Sequence, residues 1–313
     1  MLPTPAQVLA AAHRLRGVAE RTALLRAPGL GTEVYLKCEN LQRTGSFKLR
    51  GAYNALSSLS ESERARGIVA SSAGNHGLGV AWAAQRLGIR ARIFVPASAP
   101  GVKRDGIRAL GAQVDESQPH YDAAHGAAIE YSDAHEMPFV NPCSGAALIA
   151  GQGTVGVEIL EDLPSVGTIV VPVGGGGLVG GIAAIVRAVA PHVRIVGAQT
   201  DVTNAMAASL AAGRQTDVEI LPTLADGLAG QVDDEGVEIG RFAIDEMIVV
   251  SEEEVASAIG WLAHEHDMRA EGSGACAVAA MRCAACPEFV GPIAVIVSGG
   301  NIDQAVWRKI IEA

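Results

Sequence analysis

Apolar positions along this chain follow two textures. Short β-rich runs, Ile68-Val69-Ala70, Ala91–Val95, Gln113-Val114, Thr168–Val173, Val193–Ala198 and Ile293–Val297, have the pattern of strands buried on both faces. Between them, apolar residues return every three or four places, which predicts helices beginning near Asn75 and covering Val102–Leu110 and Leu178–Val189. At the start, Thr4-Pro5-Ala6-Gln7 reads as a capping box with proline at the first helical position, and Val8, Ala12, Leu15 and Val18 continue an amphipathic helix. Strands alternating with helices predict parallel sheets and right-handed crossovers. Two such series predict two α/β domains, with a ligand at the carboxyl ends of the strands.

Composition narrows the function. The chain has 313 residues, 49% hydrophobic and 19% charged, an ordinary folded balance. Only 4% are aromatic while 37 are glycine, which suits layers packed closely through small side chains. A net charge of −10 repels phosphate backbones and argues against a nucleic-acid partner. No apolar run is long enough to span a bilayer without Gly, Pro or a charge, and the amphipathic first helix does not read as a secretory signal, so no membrane role is expected. Five cysteines at irregular spacing indicate reduced thiols in the cytoplasm. Cys283-Ala284-Ala285-Cys286 lacks a second metal-ligand pair, and its Ala-rich setting predicts helical packing.

Four clusters carry candidate chemistry. In Ser46-Phe47-Lys48-Leu49-Arg50-Gly51-Ala52 a lysine stands at a helix start, where it could form an imine with an aldehyde cofactor or simply be solvated. Ser71-Ser72-Ala73-Gly74-Asn75-His76-Gly77 joins a strand to a helix through small residues, so its backbone N–H groups can converge on a carboxylate or phosphate. His76 reads as a structural histidine or a general base. Gly174-Gly175-Gly176-Gly177-Leu178 repeats this arrangement with four adjacent glycines, an entropically costly choice that points to a phosphate cradle. Ser298-Gly299-Gly300-Asn301 ends the last strand, where a hydroxyl could meet a neutral ring nitrogen or merely close a turn. Gly175, Gly177 and Gly180 also satisfy G-x-G-x-x-G, which leaves a nicotinamide oxidoreductase open as a rival. That motif wants an acid ending the next strand, where Gln199 stands.

In this order, and with Ile149–Thr154, Ala225-Asp226-Gly227 and Glu271–Ala275, the clusters resemble the serine/threonine dehydratase family of pyridoxal-phosphate enzymes, the fold type II group related to serine racemase. The resemblance implies the tryptophan synthase β-like architecture, with residues 1–55 and 145–313 as a large cofactor-binding domain and 56–144 as a small substrate-loop domain. It also implies roles. Lys48 holds pyridoxal 5'-phosphate as a Schiff base, with Phe47 beside the ring. Asn75 bonds the phenolic oxygen, Gly174, Gly175, Gly176, Gly177 and Leu178 bind the phosphate, Gly227 lies by the ring, and Ser298 meets the pyridine nitrogen. Ser72, Ala73, Gly74, Asn75 and His76 form the loop that grips the substrate carboxylate. The implied reaction removes water from a small β-hydroxy amino acid, yielding a 2-oxo acid and ammonia, in a homodimer or larger homo-oligomer.

Departures from the family pattern refine the expectation. Racemases resembling this chain carry serine where Ala73 stands, so elimination with little racemisation is expected. Some relatives bind a divalent ion through an acid at the place of Gln199, and no metal site is expected here. His76-Gly77-Leu78-Gly79 and Asn141-Pro142-Cys143-Ser144 differ from the usual threonine-dehydratase segments and leave serine, 3-hydroxyaspartate or a bulkier hydroxy amino acid open. The regulatory domain of the biosynthetic enzymes is not seen after Trp307, which points to catabolism.

Overall fold

The computed structural model describes residues 2–99, 101–283 and 289–312. Its strands are β1 (Leu24–Arg26), β2 (Val34–Cys38), β3 (Ile68–Ser71), β4 (Ala91–Phe94), β5 (Gln113–Asp115), β6 (Thr168–Pro172), β7 (Arg194–Thr200), β8 (Glu246–Val250) and β9 (Ile293–Val297). The helices are α1 (Pro5–Leu15), α2 (Lys48–Ser57), α3 (Glu61–Arg66), α4 (Asn75–Leu87), α5 (Gly101–Ala109), α6 (Tyr121–Ala134), α7 (Ala146–Asp162), α8 (Gly177–Val189), α9 (Ala205–Ala212), α10 (Asp234–Ala243), α11 (Glu252–His266), α12 (Gly272–Arg282) and α13 (Gln304–Ile311). One sheet runs β1-β2-β9-β6-β7-β8, parallel except for β1 against β2; the other runs β3-β4-β5, all parallel.

Burial on both faces explains the β-rich runs. In β6, Ile169 and Val171 face a core built with α1, α7 and α8, while Val170 faces a second core built with α11 and α12. A third core joins the small sheet to α2 and α4 through residues such as Ile68, Ile93, Val80 and Leu56. Glycine sets the helix spacing. A Cβ on Gly151 of α7 would lie 2.5 Å from the Arg50 carbonyl oxygen and 2.7 Å from the Gly51 Cα on α2. The Ile149–Thr154 segment thus lets α7 lie in backbone contact with α2.

The capping box at Thr4 forms as expected. The first helix ends at Leu15, however, and buries Val8, Ala11 and Leu15, so Val18 falls beyond it. Helix α12 ends at Arg282. Cys283 is buried just past that end in extended backbone, contrary to the helical expectation, and Cys286 lies outside the described residues. Strands β1, β2 and β8 have no counterpart among the apolar runs.

Beneath α2 lies a buried ion network. The Arg50 guanidinium donates from Nε and one terminal nitrogen to both Glu39 oxygens, each at 2.8 Å, and reaches Glu158 at 2.6 and 2.9 Å. Lys37, wholly buried in β2, completes the set with Glu158 at 2.6 Å and the Thr22 carbonyl at 2.7 Å. Two cations and two carboxylates cancel, so no net charge is left in the interior. Burial alone would push the Glu39 carboxyl up, but the adjacent Arg50 and Lys37 charges hold it below the usual range. The network joins β2, α2 and α7 two residues past Lys48.

Candidate active site

Three strand ends and one helix start meet here. β6 runs into Gly174–Gly177, β9 into Ser298, and β3 into Ser72–Gly74. Lys48 opens α2, whose preceding turn is anchored to the end of β9: Ser46 bridges Gly299, and the Phe47 N–H donates to the Ser298 carbonyl at 3.2 Å. A Cβ on Gly79 would lie 3.1 Å from the Lys48 carbonyl carbon, so α4 also reaches the start of α2.

The chain holds four lysines, and their surroundings differ. Lys37 is consumed by the buried ion network, Lys103 pairs with Asp226 at 2.9 Å, and Lys309 is exposed on α13. The Lys48 amine is part-buried, donates to the neutral Pro142 carbonyl at 2.9 Å, and lies 5.3 Å from the Phe47 ring centroid. The next residue, Cys143, is pressed against the glycine turn. A Cβ on Gly175 would lie 3.0 Å from its Sγ, and one on Gly177 would lie 2.8 Å from its carbonyl oxygen. The Asn141 side chain fixes this strap by accepting from the Cys143 and Ser144 N–H groups at 2.8 and 2.9 Å. Pro142 and Cys143 therefore bring the amine and the turn together.

The turn has the properties of an anion cradle. Gly176 has φ +92°, a left-handed conformation that favours glycine, and Gly177 begins α8. The N–H groups of Gly174, Gly175 and Gly176 find no backbone acceptor among the described residues. The amides opening α8 have none within their own helix, and its dipole adds positive potential.

Asn75 opens α4 behind Gly74, whose N–H donates to the Ser72 hydroxyl at 3.2 Å. Ala73 lies between them, half-buried. The His76 side chain points away from solvent. Its Nε2 donates to the Val140 carbonyl at 2.9 Å, and burial together with the Lys48 charge pushes its pKa down to about 3. It is neutral at ordinary pH, ties α4 to the 140 loop, and leaves its backbone N–H for an anion. Ser298, at the opposite side, donates weakly to the Ser273 carbonyl at 3.3 Å, and the Ser273 hydroxyl accepts from the Gly227 N–H at 2.8 Å.

Sequence reasoning gave Glu271, Asn301, Ser273, Asp226 and Lys103 no individual role. Glu271 is buried and accepts from the Asn75 side-chain amide at 2.6 Å; burial, then the Asp226 charge, push its pKa up to about 7. The Lys103–Asp226 pair ties α5, beside the small sheet, to the turn next to Gly227. In the sequence, Glu271 shows only as the first residue of the Glu271–Ala275 segment, since its partner Asn75 is far away along the chain. At the end of β7, both ends of the Gln199 amide are engaged, donating to the Thr203 carbonyl at 3.2 Å and accepting from the Ala207 N–H at 2.9 Å.

Comparison with known proteins agrees with this geometry. Residues 15–299 match the family described as pyridoxal-phosphate dependent enzyme. The L-threonine ammonia-lyase of Thermotoga maritima is 47% identical over 307 residues, covering 96% of this chain and 76% of that protein. The processed threonine deaminase isoform 2 of Solanum lycopersicum superposes with a TM-score of 0.92 at 34% identity, covering 99% of this chain and 90% of that one. Maize serine racemase gives a TM-score of 0.92 at 30% identity, covering 100% and 98%. These likenesses displace the nicotinamide rival that the glycine spacing had left open, and the chain belongs to the pyridoxal-phosphate-dependent enzymes of fold type II.

Proposed function

We propose that this enzyme removes water from a small β-hydroxy amino acid of the threonine or serine type, releasing a 2-oxo acid and ammonia. The observation that carries the reading is the strap Pro142-Cys143, which sets the Lys48 amine beside the glycine turn. The residues fit the cofactor: a Cβ added at Gly177 would meet the Cys143 carbonyl oxygen at 2.8 Å, and the amine has no carboxylate partner among the described residues. Lys48 would hold pyridoxal phosphate, with Phe47 and Gly227 beside the ring and Ser298 at its nitrogen. Gly174–Gly177 and Leu178 would take the phosphate, and Asn75 the ring oxygen.

When bound, the cofactor supplies an electron sink that acidifies the α-hydrogen of the amino acid. The Lys48 amine would serve as the general base for that proton. The N–H groups of Ala73, Asn75 and His76 and the Ser72 hydroxyl orient the carboxylate, helped by the dipole of α4. Ala73 has no hydroxyl to return a proton to the opposite face, so elimination wins over racemisation. The names of the threonine ammonia-lyase and threonine deaminase relatives support the substrate class. Sheet membership supports a small body within 56–144 set on a large one from 1–55 and 145–313. Among the described residues no helix is long and apolar enough to cross a membrane. A cytoplasmic homodimer or larger homo-oligomer is part of the same proposal.

A panel of β-hydroxy amino acids, assayed for 2-oxo acid, ammonia and product chirality, tests this. Threonine or serine should give equal amounts of oxo acid and ammonia with little D-enantiomer; racemisation as fast as ammonia release would overturn the reading. Gly177→Ala should weaken cofactor binding by roughly 1–3 kcal/mol, the usual cost of overpacking a tight site. Titration of the variant with pyridoxal phosphate measures it, and an unchanged affinity would remove the turn from the cofactor site.

A further inference from the structure

Asn75 can bond a ring oxygen only if its side-chain N–H, and not its carbonyl, faces the cofactor. The two ends look alike in shape, so something must choose between them. A four-member chain does so. The Asn301 side-chain Nδ2 donates to the Thr44 carbonyl at 2.8 Å and to the Asn75 Oδ1 at 2.7 Å, and the Asn75 Nδ2 donates to the Glu271 Oε1 at 2.6 Å. The Thr44 carbonyl can only accept, which fixes the Asn301 nitrogen on that side. The same nitrogen faces Asn75, so the Asn75 atom there is oxygen and its nitrogen faces Glu271. Turning Asn75 over would set two donors against each other, and turning Asn301 over would set its oxygen against two acceptors. At the far end the Glu271 oxygen accepts whether or not the carboxyl carries a proton on its other oxygen. One hydrogen of the Asn75 nitrogen is thereby used, and the second remains.

We infer that Glu271, with Asn301, is a positioning residue that orients the Asn75 carboxamide so that its remaining N–H serves the cofactor's ring oxygen. The inference rests on the assignment of Asn75 to that oxygen made above. Three further observations agree with a built arrangement. Glu271 is buried, forms no ion pair among the described residues, and accepts from the Asn75 side chain and the Asn301 backbone N–H. Gly299 leaves room for it, since a Cβ there would collide with the Glu271 carboxylate and come within 3.1 Å of the Asn75 nitrogen. Glu271 also opens α12 without capping it by its side chain, so the carboxyl is free of the usual role for that position.

The test compares cofactor-loaded wild type with Glu271→Ala, Glu271→Gln and Asn301→Ala. A donor to the ring oxygen favours its ionised, visible-absorbing form. Loss of orientation should move the ratio of visible to near-ultraviolet cofactor bands roughly five- to tenfold toward the near-ultraviolet, the ratio expected for one hydrogen bond. Glu271→Ala and Asn301→Ala should both show this shift, with kcat falling and KM nearly constant. Glu271→Gln keeps an acceptor and should restore the wild-type ratio. Unchanged band ratios in both alanine variants would overturn the inference, as would a shift in Glu271→Gln equal to that in Glu271→Ala. If Glu271→Ala does not fold, Asn301→Ala decides alone. A wild type without a lysine-dependent visible band would instead defeat the assignment of Asn75 and Lys48, which separates the two failures.

Discussion

Lys48→Ala is expected to abolish the visible absorption of the cofactor-loaded enzyme and to lower kcat by at least roughly 10²–10⁴-fold, the usual worth of a positioned general base. The loss is chemical and not structural. Lys48 is the first residue of α2, where alanine is a good helix former, and its recorded hydrogen bond is to the Pro142 carbonyl. The cofactor-free variant should therefore unfold within about 1.5 kcal/mol of the wild type, the worth of that one hydrogen bond. Equal replacements at Lys37 and Lys309 separate the alternatives. Lys309→Ala should leave turnover unchanged because that residue is exposed on α13. Lys37→Ala should unfold readily because it strips a charge from the buried network. A Lys48→Ala protein that keeps its colour and turnover would transfer the chemistry elsewhere.

Arg50→Met should cost the largest amount of stability of any single change considered, about 3–5 kcal/mol, because it leaves Glu39 buried without its bidentate partner. At about 2–4 °C of melting temperature per kcal/mol for a chain of this class, the midpoint should fall by on the order of 10 °C. The contrast is Arg21, whose bridges to Glu161 and Asp162 are exposed; Arg21→Ala should cost less than about 1 kcal/mol. Since Arg50 lies two residues past Lys48, the loosened α2 should also bind cofactor less tightly. Chemical denaturation of the three proteins checks the order, and equal losses in Arg50→Met and Arg21→Ala would refute the role given to the network.

What could be read from the sequence follows the same physics. Strands buried on both faces announce themselves, so β3, β4, β6, β7 and β9 and the glycine turns after them were legible, and the ordered motifs then implied the family. β2 was not, because Lys37 stands within Val34-Tyr35-Leu36-Lys37-Cys38, and the carboxylate that neutralises it, Glu158, lies more than a hundred residues on. β8 failed for a similar reason, with Glu246 opening it and Val249 exposed. Lys48, Asn75 and Ser298 stand inside motifs, whereas Glu271 acts through Asn75 across 196 positions, a pairing that no local pattern encodes. His76 reads from the sequence as a structural histidine before a general base, and its burial and its bond to the Val140 carbonyl agree with bracing.

The most direct measurement is borohydride reduction of the cofactor-loaded protein, followed by digestion and mass mapping of the lysine peptides. The reduced pyridoxyl group should sit on the peptide containing Lys48 and on none of the peptides containing Lys37, Lys103 or Lys309. A label on one of those three, or no label on a coloured enzyme, would contradict the placement of the amine beside the glycine turn.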